Sequence, residues 1–587
     1  MAPGCNRVED IALAPPPFDD PRRSCRRLVE WAEPLLDDSE RALSLRSAET
    51  FLENDGPLLQ RELERIRKED GDDVLRRVPY WEGWYLSSRE PLPVYFNPFY
   101  IFEEDSLPRE KNPFRLAARL ALAAAAFCLD IDRGLSEADR MRGEPLCMRQ
   151  YASVFRSSRS AGSPCDSAVS GDRNGIAGRS ALVLSRGNLF LVELISTDGE
   201  LRDLDETAHS LETVSAEAPS RTLPVGLITC PNRNEAVRGR RMLLESEKKN
   251  ELLLSLAEKA LFALRLDAPC GSSIEDAARH FLFDEGKNAW YEKSFQLIVT
   301  GDCRAGINFE HSARDGTHMG RLVKEILGRA PGIQGRAGRL AAPVSLSFHI
   351  PPQLGGFLED AERNCRRLSR KRRQIVLSFS AFGREAIKKA GMGPDAFVQA
   401  ALLFAAKRVR GEWRSAYESV HMRRFKGGRT EGTRPLTPEA ATFLDALQSG
   451  GRDRSVLRPL LLAAGAAHRR RIEECLAGRG VEGHLGLLRE IWRSEGARLG
   501  IPAEPDLFSS PAWRKLTSCF VSSSTTSGEG IALAGYGPVQ QGGLSARYLS
   551  KKDRFTFHIA SWAEDGPLGE HFSAALHDAL MIMGDIL

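Results

Sequence analysis

From Ala305 to Leu327 the chain alternates apolar and polar residues, turns at Asp315-Gly316, and then places apolar residues at helical spacing. A strand running through a tight turn into an amphipathic helix belongs to a layered structure in which helices cover a sheet. Strands interspersed with long helices recur in both halves, and 587 residues exceed one ordinary hydrophobic core. The expectation is α/β class, with two layered domains. The same unit fixes His311 at a strand end with Asp315 four residues on. A nearby carboxylate can hold an imidazole in one tautomer and let it abstract a proton near neutral pH. On local pattern alone, a purely structural histidine is the commoner outcome.

Charge and cysteine usage narrow the classes. Lys plus Arg number 82 against 79 Asp plus Glu, a net charge of +3, which argues against a general nucleic-acid or membrane-surface protein. The 11 cysteines are scattered and nowhere spaced Cys-x-x-Cys, so a reducing compartment is expected, with no metal site and no disulfide framework. No apolar run reaches the ~18 residues of a membrane helix. The first residues carry Glu9, Asp10, Asp19 and Asp20 around Pro15-Pro-Pro17, unlike a signal peptide or an acid-poor transit peptide.

Local patterning predicts further elements. Pro21 to about Asp70 reads as helical, with Leu28, Trp31 and Leu35 on one face. Trp81 to Phe99, aromatic and broken by prolines, reads as extended. Leu116 to Leu129, interrupted by Arg119, reads as a buried amphipathic helix. Ser180–Ser185 and Asn188–Ile195 read as strands joined by a turn at Arg186-Gly187, and Ser160–Arg179 as a surface loop. The basic run between Cys365 and Arg373 reads as a solvated helix face rather than a nucleic-acid patch, given the near-neutral total.

Several runs together carry a resemblance. Trp290, Lys293 and Ser294 on the strand before His311, Phe309-Glu-His-Ser-x-x-Asp-Gly316, Tyr85-Leu-x-x-Arg-x-Pro-Leu-Pro-Val94 and Pro145-Leu-Cys-Met-Arg-Gln-Tyr151 resemble the carnitine/choline O-acyltransferase family, and within it the carnitine palmitoyltransferase branch of the mitochondrial inner type. The likeness runs from about residue 15 to the C-terminus. It implies two similar CoA-dependent acyltransferase domains, each a mixed sheet with flanking helices, and an active-site tunnel at their interface. The implied division is 1–90 as a helical segment packing with the C-terminal domain, 91–348 with the catalytic histidine, and 349–587 with the CoA and acceptor sites. His311 is then the general base, oriented by Asp315, and coenzyme A is a substrate, so no cofactor is needed.

The resemblance also assigns binding residues. Arg384 and Lys388, four apart and so on one helix face, stand where the family's lysines meet the CoA phosphates, and Asp395 stands near the adenosine end. Tyr417 and Thr430, in the run Tyr417-Glu-Ser … Gly-Arg-Thr-Glu431, stand where relatives hold the carnitine carboxylate. In Val521-Ser-Ser-Ser-Thr-Thr526, Ser522 falls to the acceptor and Ser524 to the oxyanion of the tetrahedral intermediate. One departure matters: carnitine-using relatives carry an arginine where this chain has Gly483, and choline-using relatives do not. Arg479 or Arg489 is a candidate substitute. Ala534 replaces the methionine that closes the acyl pocket of short-chain members. The expectation is reversible transfer of a medium- or long-chain acyl group between CoA and carnitine, by a monomer in the mitochondrion or cytoplasm, with peripheral membrane contact left open. A choline or other hydroxyl acceptor is the alternative within the class. An inactive acyl-CoA-binding protein is the alternative outside it.

Overall fold

The computed structural model describes residues 12–70, 82–219, 223–336, 341–450, 453–526 and 528–587. Two mixed sheets organise the chain. The first has eight strands in the order Val344–Ser345, Asn188–Glu193, Ser180–Ser185, Ala263–Asp267, Phe295–Thr300, Ala305–Phe309, Phe99–Phe102 and Ile531–Gly535. The second has six, Arg372–Phe379, Phe555–Trp562, Leu544–Ser550, Val521–Thr526, Ala416–His421 and Thr430–Thr433. This is the two-sheet, helix-flanked α/β class expected. The strand Ile531–Gly535 comes from the C-terminal half yet pairs antiparallel with Phe99–Phe102 at the edge of the first sheet. A cut at residue 348 therefore does not part the two sheets.

The period-two alternation of strands sorts the cores. In the first sheet Ala181 and Val183 pack against the helices Pro113–Asp132, Leu204–Glu217 and Gly316–Arg329. Leu182 and Leu184 pack the opposite way, against Lys248–Lys259, Ile274–Phe283 and Pro352–Arg370. In the second sheet Val521, Ala546, Tyr548 and Phe557 turn toward the helices Pro394–Arg410 and Leu568–Ile586. Their neighbours along each strand therefore face the other side, and that side is polar: Ser522, Ser524, Arg547, Tyr417 and Ser419. A separate cluster, including Leu28, Trp31 and Phe51, packs the first three helices, which span Pro21 to Asp70, against Val481–Glu495 and Pro511–Thr517.

Three local expectations change. Of the Trp81–Phe99 segment, Trp81 lies outside the described residues, and the rest holds short helices at Glu82–Ser87 and Leu92–Tyr95 before the strand starting at Phe99. Pro91 and Pro93 produce this, because proline's fixed φ suits a first helical turn as well as an extended chain. Ser160–Arg179 is not a plain loop: Ser157–Ser160 pairs with Ser167–Ser170, and a short helix covers Ile176–Arg179. The basic run from Cys365 to Arg373 divides between the end of helix Pro352–Arg370 and the start of strand Arg372–Phe379, and Arg372 is buried beneath it. No helix among the described residues is long and apolar enough to cross a membrane.

Candidate active site

His311 leaves the strand Ala305–Phe309 just before Asp315, the residue that precedes helix Gly316–Arg329. An aspartate there would normally cap the helix, but this side chain makes no capping bond. Its carboxylate instead accepts from Arg429 Nε at 3.1 Å and Nη2 at 3.0 Å, and from Gln150 Nε2 at 2.7 Å. Gln150 also accepts from the Asp315 backbone N–H at 2.7 Å. His311 Nδ1 lies 3.8 Å from Asp315 Oδ1, beyond hydrogen-bond reach but well within electrostatic range. The imidazole stacks on Tyr85, with ring centroids 5.3 Å apart and planes at 14°. Arg429 donates to the carbonyls of His311 and Ser312 as well, so one guanidinium fixes both ends of the turn.

These surroundings set the protonation states. Burial pushes the His311 pKa below its ordinary 6.5, with Asp315 pulling the other way and Arg429 adding to the fall. Burial alone would raise the Asp315 carboxyl, but Arg429 and His311 outweigh it and hold the group well below the usual carboxylate range. At neutral pH the pair is a neutral imidazole beside a carboxylate, the state a general base requires.

The second sheet presents a polar strip. Parallel pairing sets Tyr417 beside Ser522, and Ser524 beside Arg547. Ser524 Oγ lies 3.3 Å from Ser419 Oγ and accepts from Arg547 Nη1 at 2.7 Å. Arg547 Nη2 donates to the Tyr100 hydroxyl at 3.0 Å, which in turn donates to the Gly316 carbonyl at 3.1 Å. Ser524 is thus linked through Arg547 and Tyr100 to the residue following Asp315. Ser522 Oγ lies 3.3 Å from the Tyr536 hydroxyl, which donates to the Ser522 carbonyl at 2.8 Å. Contacts spanning both sheets therefore connect Ser524 to the turn that carries His311 and Asp315, while Ser522 is held separately by Tyr536.

Around Gly483, the surroundings of the two candidate substitute arginines differ from the expectation. Gly483 sits at the start of helix Val481–Glu495, and its backbone N–H donates to both oxygens of Glu431, at 3.0 and 3.1 Å. A Cβ at 483 would fall 2.2 Å from Glu431 Oε2, so Glu431 occupies the space into which an arginine would grow. Burial, with Glu482 close by, pushes the Glu431 pKa up to about 8. Arg489 does not compensate: it pairs with Glu504 and lies over Phe508 and Trp513, in the N-terminal helix cluster. Arg479 is exposed. The guanidinium that does approach Tyr417 is Arg434, 5.4 Å from its ring, and it is paired with Glu482 at 2.7 Å. Thr430 begins the neighbouring strand and pairs with His421.

Arg384 and Lys388 share one exposed face of the short helix Arg384–Lys389, both near Glu385. Asp395 keeps different company. Its carboxylate accepts from the Tyr548 hydroxyl and lies 3.2 Å from His468 Nε2, which is also 3.2 Å from Glu418. Asp395, Glu418 and His468 bring their ligand atoms within 4.8 Å of one another, a spacing that suits a metal ion. Here the three act on one another: hydrogen bonds to both carboxylates, set against burial, lift His468 to about 9, and burial beside Asp395 lifts Glu418 to about 7.

Sequence reasoning missed Arg429, Gln150, Tyr85 and Arg547. The first three lay inside runs quoted for their family likeness, but nothing local marks an arginine in Gly-Gly-Arg-Thr as partner to an aspartate 114 positions away. Arg547 had no signal beyond being the one charge in the strand Leu544–Ser550.

Residues 17–578 match the choline/carnitine O-acyltransferase family model, and the chain belongs to that family. It is accordingly a CoA-dependent acyltransferase. Relatives of both kinds align comparably. Choline O-acetyltransferase of Danio rerio is 28% identical over 83% of this chain and 79% of its own. Carnitine O-palmitoyltransferase 2, mitochondrial, of Homo sapiens is 25% identical over 96% of this chain and 90% of its own. Carnitine O-acetyltransferase of Columba livia is 26% identical over 95% and 91%. The palmitoyltransferase branch suggested by the sequence motifs is not singled out.

Proposed function

We propose that this enzyme transfers an acyl group from CoA to the hydroxyl of an acceptor that carries no carboxylate, choline being the model, with His311 as base. With Nδ1 turned toward Asp315, His311 Nε2 takes the acceptor hydroxyl proton as the oxygen attacks the thioester carbonyl. Ser524, whose oxygen already accepts from Arg547, has its own proton free to donate to the oxyanion. The C–S bond then breaks, and the proton held on His311 passes to the CoA thiolate. Arg384 and Lys388 supply an exposed basic face for CoA phosphates.

The observation that carries the acceptor reading is Glu431 against Gly483. The place where carnitine-using relatives present an arginine holds an acid instead, with Glu482 beside it. A carboxylate brought there would meet the Glu431 carboxyl in place of a guanidinium, with the nearby Arg434 already paired to Glu482, while Tyr85, Tyr417 and Tyr536 offer aromatic rings of the kind that hold a quaternary ammonium. Carnitine is the second reading, favoured by Tyr417 and Thr430 at the positions the family uses. The test is free-thiol release from acyl-CoA with choline, with carnitine and with no acceptor. Choline-dependent release exceeding carnitine-dependent release by tenfold or more is expected. The reverse order would restore carnitine, and no release with any acceptor would leave only an acyl-CoA-binding protein.

A further inference from the structure

Arg547 is 7% exposed and makes no ion pair with a carboxylate among the described residues. Other buried arginines here donate to carboxylates or carbonyls, even where one nitrogen, such as Arg233 Nη1, has no partner. Arg159 and Arg233 share Asp166, Arg434 has Glu482, and Arg471 donates to the carbonyls of Arg434 and Leu436. Arg547 instead spends its guanidinium on two neutral hydroxyls, Ser524 at 2.7 Å and Tyr100 at 3.0 Å, and its Nε has no partner. Burying a cation this way is costly unless an anion arrives.

Its position says which part of the substrate brings that anion. In the second sheet, Val521–Thr526 lies between Ala416–His421, which carries Tyr417, and Leu544–Ser550, which carries Arg547. Arg547 is therefore on the far side of Ser524 from the acceptor residues. It donates to Tyr100, whose strand partner is Ala534, the position the family resemblance assigns to the acyl pocket. The Arg547 guanidinium lies 5.5 Å from the centre of the Tyr100 ring, the ring whose strand pairs with that of Ala534.

We infer that the acyl group is short and ends in a carboxylate, which Arg547 binds while the thioester carbonyl faces Ser524. Because Arg547 is one hydrogen bond from Ser524, only a few methylenes fit between carbonyl and carboxylate. This rests on the acyl-transfer reading above, and the reaction is unchanged: the thioester C–S bond breaks, the ester C–O bond forms, and the distal carboxylate passes through intact.

The test compares kcat/KM for succinyl-CoA with that for butyryl-CoA, by thiol release, in wild type, Arg547→Met and Arg547→Lys. Wild type should prefer succinyl-CoA. Arg547→Met should lower the succinyl-to-butyryl ratio by on the order of tenfold to a hundredfold, the worth of a hydrogen bond to a charged group. Arg547→Lys should retain part of the preference, which a structural role would not produce. Butyryl-CoA preferred by wild type would overturn the inference while leaving acyl transfer intact. So would equal losses for both thioesters in Arg547→Met, which would make Arg547 a positioning residue for Ser524. Release from palmitoyl-CoA but from neither four-carbon thioester would overturn the inference alone, and release from none of the three would overturn acyl transfer as well.

Discussion

At the scale of single residues, the chemistry depends on how the neighbours of His311 divide their work. Asp315 is held by Arg429 and Gln150 rather than by the imidazole, so its charge is fixed in place and acts on His311 from 3.8 Å. The consequence for pH follows from the direction of the shift. A histidine whose pKa is lowered by burial stays neutral below 6.5, so the proposed base survives moderate acidification and is lost only as pH falls through the lowered value. The acid limb of the kcat/KM profile should have its midpoint below 6.5. In Asp315→Asn the limb should move to still lower pH, since the group that raises the His311 pKa is gone while Arg429 remains. A limb that moves upward would mean that His311 is not the titrating base.

At the scale of elements, a helix start shapes much of the proposed acceptor site. Gly480 and Gly483 both lie against Glu431, whose carboxyl accepts the Gly483 N–H in place of an N-cap side chain. Glycine at 483 is thus a packing requirement as much as a missing arginine. Gly483→Ala should cost about 1–3 kcal/mol by forcing Glu431 aside, read as a lower midpoint in denaturant unfolding. An unchanged midpoint would show that Glu431 moves freely and that the crowding is immaterial. Parts of this were legible from sequence. The strand into His311, the helix after Asp315 and the serine strip were marked by period or motif. The partners of Asp315 and the close approach of Glu431 were not, because they join segments tens to hundreds of residues apart. The serine run Val521–Thr526 has the composition of a loop, yet it lies inside a sheet because strands on both sides supply its hydrogen bonds.

At the scale of the whole molecule, one site is built by two sheets that exchange parts. Ile531–Gly535 leaves the C-terminal half to complete the first sheet, and Arg547 on the next strand reaches the Tyr100 hydroxyl across the boundary. Arg429 crosses in the other direction to hold Asp315. The proposed base lies on the first sheet's side and the proposed oxyanion donor and acceptor residues on the second, so the proposed reaction needs both sheets. The most direct test of the account is His311→Ala, assayed for thiol release at saturating acyl-CoA and choline, alongside CoA binding by calorimetry. Loss of about 10²–10⁴-fold in kcat with CoA affinity nearly unchanged is the predicted result. Undiminished turnover in a folded variant that still binds CoA would contradict it.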